Sequence, residues 1–324
     1  MFLDLYKSYK ITFRASLFIF ASFALSTISL PSFASDQFNI SRILLESTVR
    51  INVWENRGTD EASVVYGGSG VVINNVGKKI FILTNAHVLL DEYCSPSSKN
   101  DCESNLYPDN HIIVIDTSDS KYEYIVEEDD FIFWEDIDLG VVVIDMSNFE
   151  EYDDMLPIKI SGKWYPLMEV FSSGYPLVLG NQSNYRKMFF TSGVINSLID
   201  SDQGLADLEN YSIVHNSGIT GGMSGGPLVD NNGMLLGING LVGAPELEQG
   251  FLGAIVDFDF DNFNYSYAIH IYDFYNAVIT TDSGNFDSNS KFFGFLPRLS
   301  KSEHLALYNY FIDEHPIRTL AIFD

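Results

Sequence analysis

The stretch Gly221-Gly222-Met223-Ser224-Gly225-Gly226-Pro227 places one serine inside a glycine-rich turn. A serine hydroxyl is a weak nucleophile until a base takes its proton and a set of donors receives the charge that develops on the attacked oxygen. Glycines on both sides let the backbone turn sharply, so that successive N–H groups can converge on one oxygen. Alone, such a stretch is equally a hairpin turn. Two upstream segments supply the missing groups. Leu83-Thr84-Asn85-Ala86-His87-Val88-Leu89 sets a histidine where a β-branched run, Lys79 to Thr84, breaks into a short turn. Asp138-Leu139-Gly140-Val141-Val142-Val143-Ile144 sets a carboxylate at the mouth of an apolar strand. A base, an acid to orient it and a nucleophile, in that chain order, are the parts that acyl transfer to water requires.

Other residues compete for these roles. The six histidines are His87, His111, His215, His270, His304 and His315. Only His87 stands at a strand-to-turn break with a small residue before it; His215 and His270 lie in strand-like runs and read as barrel residues. Asp136 rivals Asp138, because a one-step slip in register exchanges them.

The elements that must carry these residues are short strands. Runs at 48–54, 63–66, 70–73, 79–84, 112–116, 122–127 and 139–145 form a first set. Runs at 167–173, 187–196, 211–215, 228–230, 234–238 and 265–271 form a second, after a polar passage from Met146 to Pro166. Many short strands separated by Gly, Asn and Pro turns predict an all-β protein. Tyr272 to Thr280 is expected as a short C-terminal helix.

The three segments resemble the TAAHC, DIALL and GDSGGP boxes of trypsin-like serine peptidases, most closely the bacterial HtrA-like and cyanobacterial-type branch. Gly68-Ser69-Gly70-Val71-Val72-Ile73, Thr191-Ser192-Gly193-Val194-Ile195, Gly237-Ile238-Asn239 and Tyr267-Ala268-Ile269-His270-Ile271 extend the likeness from about Val49 to Thr280. The resemblance implies a chymotrypsin-type fold of two six-stranded antiparallel β-barrels, with the site in the cleft between them. It implies His87 as base, Asp138 as its orienting acid, keeping the family's spacing into the next strand, and Ser224 as nucleophile. The N–H groups of Gly222 and Ser224 would form the oxyanion hole. The family's pocket base falls at Gly218, where no carboxylate awaits Lys or Arg; Asn239, Gly240, Leu241, Val242 and Tyr265 would line the substrate side. A glutamate-specific pocket would carry histidine where Asn239 stands, so exclusion leaves small or apolar side chains. Met223 departs from the animal enzymes, whose aspartate there pairs with a new N-terminal amine, and activation of that kind is not expected. The tail is too short for the PDZ domain that HtrA proteins carry.

Composition bounds the rest. With 324 residues, 46% hydrophobic and 14% aromatic, the chain can bury a large core. Lys7, Lys10 and Arg14 precede an interrupted apolar stretch, Ala15 to Leu30, and Ser32-Phe33-Ala34 offers small residues at the cleavage positions. This reads as a secretory signal peptide, 1–34, cut after Ala34, with an uncleaved anchor as the alternative. A peptidase domain is expected over 35–280, with barrel one about 44–150 and barrel two about 163–280, then an extension of unassigned role, 281–324. The formal charge of −26 argues against nucleic-acid or anionic-lipid partners and is read first as simple solubility, with cationic polypeptide substrates or a salty medium as the alternatives. Cys94 and Cys102, the only cysteines, read as a loop-closing disulfide in an exported protein, periplasmic or extracellular, with two free thiols as the alternative. No cofactor or metal is expected, although Asp257-Phe258-Asp259-Phe260-Asp261 alternates carboxylates like the start of a calcium loop; the glycine expected next is Asn262. Two other functions remain open from sequence: a protease-like binding or adhesion protein without turnover, and an esterase using the same three residues. The second lacks the strand-to-helix elbow of α/β-hydrolases, since Gly225-Gly226-Pro227 runs on into a strand.

Overall fold

A computed structural model describes residues 33–76, 78–94, 104–117, 122–148, 155–161, 164–177, 186–198, 211–242 and 265–281. The expected signal peptide (apart from its last two residues), Cys102, the 257–261 carboxylates and the tail beyond residue 281 lie outside them. The chain divides into two compact units, Met1–Phe38 and Asn39–Asp324. The first is described only from Phe33, at the start of a helix, α1 (Phe33–Ser47). In the second unit that helix continues with Ile40, Ile43 and Leu44 at helical spacing, and Ile40 and Leu44 are buried.

Thirteen strands follow among the described residues. The first seven are β1 (Thr48–Glu55), β2 (Ser63–Val76), β3 (Lys79–Thr84), β4 (His111–Asp116), β5 (Glu123–Val126), β6 (Phe131–Trp134) and β7 (Leu139–Asp145), with a one-turn helix, α2 (Ala86–Leu89), between β3 and β4. They pair antiparallel in the order β5-β4-β1-β2-β3-β7-β6, a curled sheet whose β5 returns to touch β7. The other six are β8 (Glu169–Gly174), β9 (Phe189–Leu198), β10 (Ile213–His215), β11 (Pro227–Asp230), β12 (Leu235–Val242) and β13 (Ser266–His270). These close into a barrel ordered β10-β13-β12-β11-β8-β9, and α3 (Ile271–Thr281) ends the described chain. The expected pair of antiparallel β units and the C-terminal helix are present. The first unit differs in detail, with seven strands curled into a half-barrel. The extra strand is β6, whose Phe131-Ile132-Phe133-Trp134 carries no polar alternation to mark it. The expected segments 63–66 and 70–73 are one strand, because Gly67, Gly68 and Gly70 stay within the ladder against β1.

Strand β1 shows how the halves are held together. Its residues alternate apolar and polar with the period of a strand, yet the first six are all buried. Val49, Ile51 and Val53 fill the interior of the first sheet. Thr48, Arg50 and Asn52 face the second barrel, where Thr48 Oγ1 and Ser173 Oγ share a hydrogen bond of 2.7 Å. A second set of apolar residues lies between the halves: Val71, Leu83 and Val141 from the first meet Val229, Ile238 and Ile269 from the second, with Phe274 and Tyr275 of α3. Burial on this scale holds the two β-halves of the second unit against each other.

Candidate active site

Each of the three residues singled out above sits where a regular element ends. His87 lies in α2, which begins as soon as β3 leaves its sheet at Thr84. Asp138 follows a one-turn 3-10 helix and immediately precedes β7, with a left-handed backbone, φ 49°. Aspartate tolerates that conformation better than most residues. Its carbonyl is tied to the His87 turn by Ala86 N–H at 3.2 Å and Asn85 Nδ2 at 3.1 Å. Because β3 and β7 are neighbours in register, Thr84 opposite Gly140, the two segments leave the sheet side by side. The expected acid and base are thus delivered to one place by a single strand pair.

The Asp138 carboxylate is buried, 3% exposed, and both of its oxygens are engaged. Oδ1 accepts the His87 backbone N–H at 2.9 Å, and Oδ2 lies 2.7 Å from His87 Nδ1. Oδ2 also accepts the phenol of Tyr211, from the chain leading into β10. Asp136, the rival acid, is exposed. Burial on its own pulls the pKa of His87 down; the charge of Asp138 and its hydrogen bond push up and prevail, so it stands above the ordinary 6.5. With 19% of its side chain exposed, the imidazole keeps an open edge while Nδ1 is anchored.

Ser224 comes from the turn between β10 and β11. Its carbonyl accepts Ser69 N–H of β2 at 2.7 Å, so the backbone of the serine turn is pinned to the first sheet. Its hydroxyl donates to Gly240 O at 3.1 Å, and no hydrogen bond joins it to His87 among the described residues. The preceding turn is fixed peptide by peptide. Gly221 O accepts Leu177 N–H at 2.8 Å. In a trans peptide C=O and N–H point opposite ways, so Gly222 N–H is turned away from Leu177. Gly222 O accepts Ser69 Oγ at 2.9 Å and Arg186 Nη1 at 3.4 Å. Met223 N–H goes back to Thr220 O at 2.9 Å. Among the described residues, Gly222 N–H and Ser224 N–H have no acceptor. Glycine is required at 222: φ is +90°, and a Cβ would lie 2.7 Å from both Leu177 N and Tyr175 O.

Three residues of this scaffold carry little sequence signal. Ser69 lies inside a recognised segment, yet nothing local says that its hydroxyl accepts Tyr175 N–H at 2.9 Å and donates to Gly222 O. Arg186 is buried and hydrogen bonds to Tyr175 O, Ile51 O, Gly68 O at 3.0 Å and Asn52 Oδ1 at 2.9 Å. Burial, then the nearby Arg50, push its pKa down to about 10, which leaves it charged at neutral pH. Tyr211 is an aromatic residue in a strand-like run, with no spacing rule that ties it to Asp138. An isolated Arg or Tyr in an all-β chain is read first as surface or core, and only the contact reveals the role.

The expected pocket positions divide. Gly218 has φ +68°, and a Cβ there would meet nothing within 4 Å, so its surroundings are open. The Asn239 side chain is turned inward, its amide donating to Gly226 O at 3.2 Å and Pro227 O at 3.1 Å. Leu241 and Tyr265 pack on the core between the barrels, while Val242 is half exposed at the end of β12. His215 is fully buried and held down to about pKa 3 by that burial, a neutral barrel residue with Nδ1 against Ser217 Oγ at 2.8 Å. His111 stacks on Tyr107, and His270 is enclosed near Trp164. No cluster of His, Cys, Asp and Glu able to hold a metal ion occurs among the described residues.

The trypsin-like peptidase domain matches residues 68–238, more than half of the 324-residue chain. No curated protein matches it. The matched span begins on β2, takes in His87, Asp138 and Ser224, and ends on β12. The chain therefore belongs to the trypsin-like peptidase family, and with it to the serine-protease class of hydrolases.

Proposed function

We propose that this chain is an exported endopeptidase that cleaves polypeptides through an acyl-enzyme on Ser224, with His87 as general base and acid and Asp138 as the residue that orients it. The observation that carries this reading is the buried Asp138 carboxylate holding both the backbone N–H and the Nδ1 of His87. A ring anchored there carries its proton on Nδ1 and offers Nε2 as the acceptor. On substrate binding the Ser224 hydroxyl turns from Gly240 O to Nε2, and Oγ attacks the scissile carbonyl as the proton passes to His87. The charge formed on the carbonyl oxygen is met by the unspent N–H groups of Gly222 and Ser224, a contribution worth several kcal/mol of barrier. The C–N bond then breaks, and His87 returns the proton to the leaving amine. Water repeats the sequence to release the acid and restore Ser224.

Open space at Gly218 and the apolar, buried Ile219 beside it support small or apolar residues before the scissile bond. The likeness of the boxes to HtrA-like enzymes supports that branch. The charged and apolar leader supports export, to periplasm or medium. A Cys94–Cys102 disulfide is supported by the burial of Cys94 and by the lack of a free cysteine among the described residues.

The test is hydrolysis of casein by the purified chain lacking residues 1–34, beside Ser224→Ala, with the cut sites read by mass spectrometry. The parent is expected to cleave and to be labelled on Ser224 by a fluorophosphonate, and the variant to lose at least about 10⁴-fold in rate. A parent that neither cleaves nor labels would turn the assignment to the protease-like binding protein.

A further inference from the structure

The carboxylate of Asp138 has a third donor, and the steps above give it no task. Tyr211 is 5% exposed, and its phenol donates to Oδ2, the same oxygen that faces His87 Nδ1. Burial, then the charge of Asp138, raise the phenol's pKa well above 10, so it stays protonated wherever the enzyme works and serves only as a donor. Room for its ring is made by one residue. Strand β12 pairs Asn239 with Ala268 and Leu241 with Tyr267, leaving Gly240 as a bulge. A Cβ on Gly240 would lie 2.3 Å from the Tyr211 hydroxyl and 2.4 Å from its Cε1. The carbonyl of the same Gly240 holds the Ser224 hydroxyl. One aromatic ring therefore sits between the acid and the strand that receives the nucleophile.

We propose that Tyr211 is a positioning residue of the active site, fixing the Asp138 carboxylate toward His87 and weakening its pull on the imidazolium, and that the missing side chain at Gly240 is what admits the ring. The proposal rests on the peptidase reading above. A donor on a carboxylate withdraws charge from it, and the positive end of the O–H dipole opposes a positive ring nearby. With the phenol in place, His87 loses its proton at a lower pH than it would beside a bare carboxylate. Removing the hydroxyl has two separable effects: the imidazole is held less firmly, and its pKa rises.

The experiment is the rate of fluorophosphonate labelling as a function of pH for the parent, Tyr211→Phe and Gly240→Ala, with thermal unfolding measured on each. Tyr211→Phe is expected to label about tenfold more slowly on the plateau. Its acid limb is expected to move up by about one pH unit. Gly240→Ala displaces the ring from Asp138 with the tyrosine still present, so its acid limb is expected to move the same way. This variant carries the test if Tyr211→Phe does not fold. Loss of core packing alone lowers the unfolding temperature and leaves the pH midpoint of the folded fraction where it was. A folded Tyr211→Phe with the parental midpoint, or with one moved down, overturns the proposal. A parent that is not labelled at any pH overturns the peptidase reading, and this proposal with it.

Discussion

The protonation of His87 is set by two opposing effects, and the sign of their sum has two consequences for the proposed mechanism. Burial opposes its charge and Asp138 favours it, with the second effect prevailing. The acid limb of kcat/KM is therefore expected above 6.5, the value of an unperturbed histidine, when cleavage is followed across pH. Stability runs the other way. A raised folded-state pKa adds stability that is fully present below 6.5 and is lost as pH rises through the folded value. The enzyme is expected to become active over the window in which this pair ceases to stabilise it, and urea melts across the same range check that. Asp138→Asn keeps the shape and removes the charge; a loss of about 10⁴-fold in kcat is expected. At this scale the sequence was explicit about Ser224 and His87, since a serine flanked by glycines and a histidine at a strand break are local patterns. Between Asp136 and Asp138 it left a choice of register. The fold buries Asp138 against His87 and leaves Asp136 exposed, and burial is not written in the local sequence.

At the level of elements, the serine turn depends on the half of the molecule that does not contain it. Ser69 on β2 donates its N–H to Ser224 O and its hydroxyl to Gly222 O, and accepts Tyr175 N–H from the end of β8. Met223 has no charge with which to latch this turn, and the hydrogen bonds of Ser69, Leu177 and Arg186 fill that role. Ser69→Ala removes only the hydroxyl. It is expected to cost about 1–3 kcal/mol of stability in urea unfolding, because a buried N–H loses its acceptor. It is also expected to lower kcat about tenfold or more with KM little changed, because the Gly222 peptide is then free to turn. A change in KM alone would show that the turn keeps its shape without the hydroxyl. The strands themselves were legible from alternation and turn residues. Strand β6 was not, since an unbroken aromatic and aliphatic run has no period to read, and β2 was split by glycines that mark close approach within one strand.

Over the whole molecule, Arg186 ties the halves together. It is carried by the chain entering β9 of the barrel, and its guanidinium is buried. Its donors go to Ile51 O, Gly68 O and Asn52 Oδ1 of the first sheet and to Tyr175 O of the second. Arg50, itself 1% exposed, pairs in a fork with Asp116 at 2.6 and 2.8 Å and donates to Arg186 O at 2.7 Å. A planar fork with five donors suits this; a lysine cannot reach as many acceptors. Arg186→Met is expected to cost about 3 kcal/mol or more in urea unfolding, since several buried carbonyls lose their donor together. Arg186→Lys is expected to restore only part of that. If Arg186→Met is as stable as the parent, the halves are held without it, by their apolar interface and the remaining hydrogen bonds across it.

Local chemistry was written in the chain. Residue types and their spacing determined an all-β protein, a serine in a glycine turn, a histidine at the end of β3 and an aspartate at the start of β7, because each depends on neighbours within a few residues. What tertiary structure decided depends on residues far apart in sequence. It buried Asp138 against His87 and left Asp136 exposed, brought Tyr211 onto the Asp138 carboxylate in the space left by Gly240, turned Asn239 inward, and pinned the serine turn with Ser69 and Arg186. None of these contacts is announced by a period or by the segment it falls in. A buried carboxylate or carbonyl must find a donor wherever the packed chain supplies one, and that requirement is met only once the two halves have closed on each other.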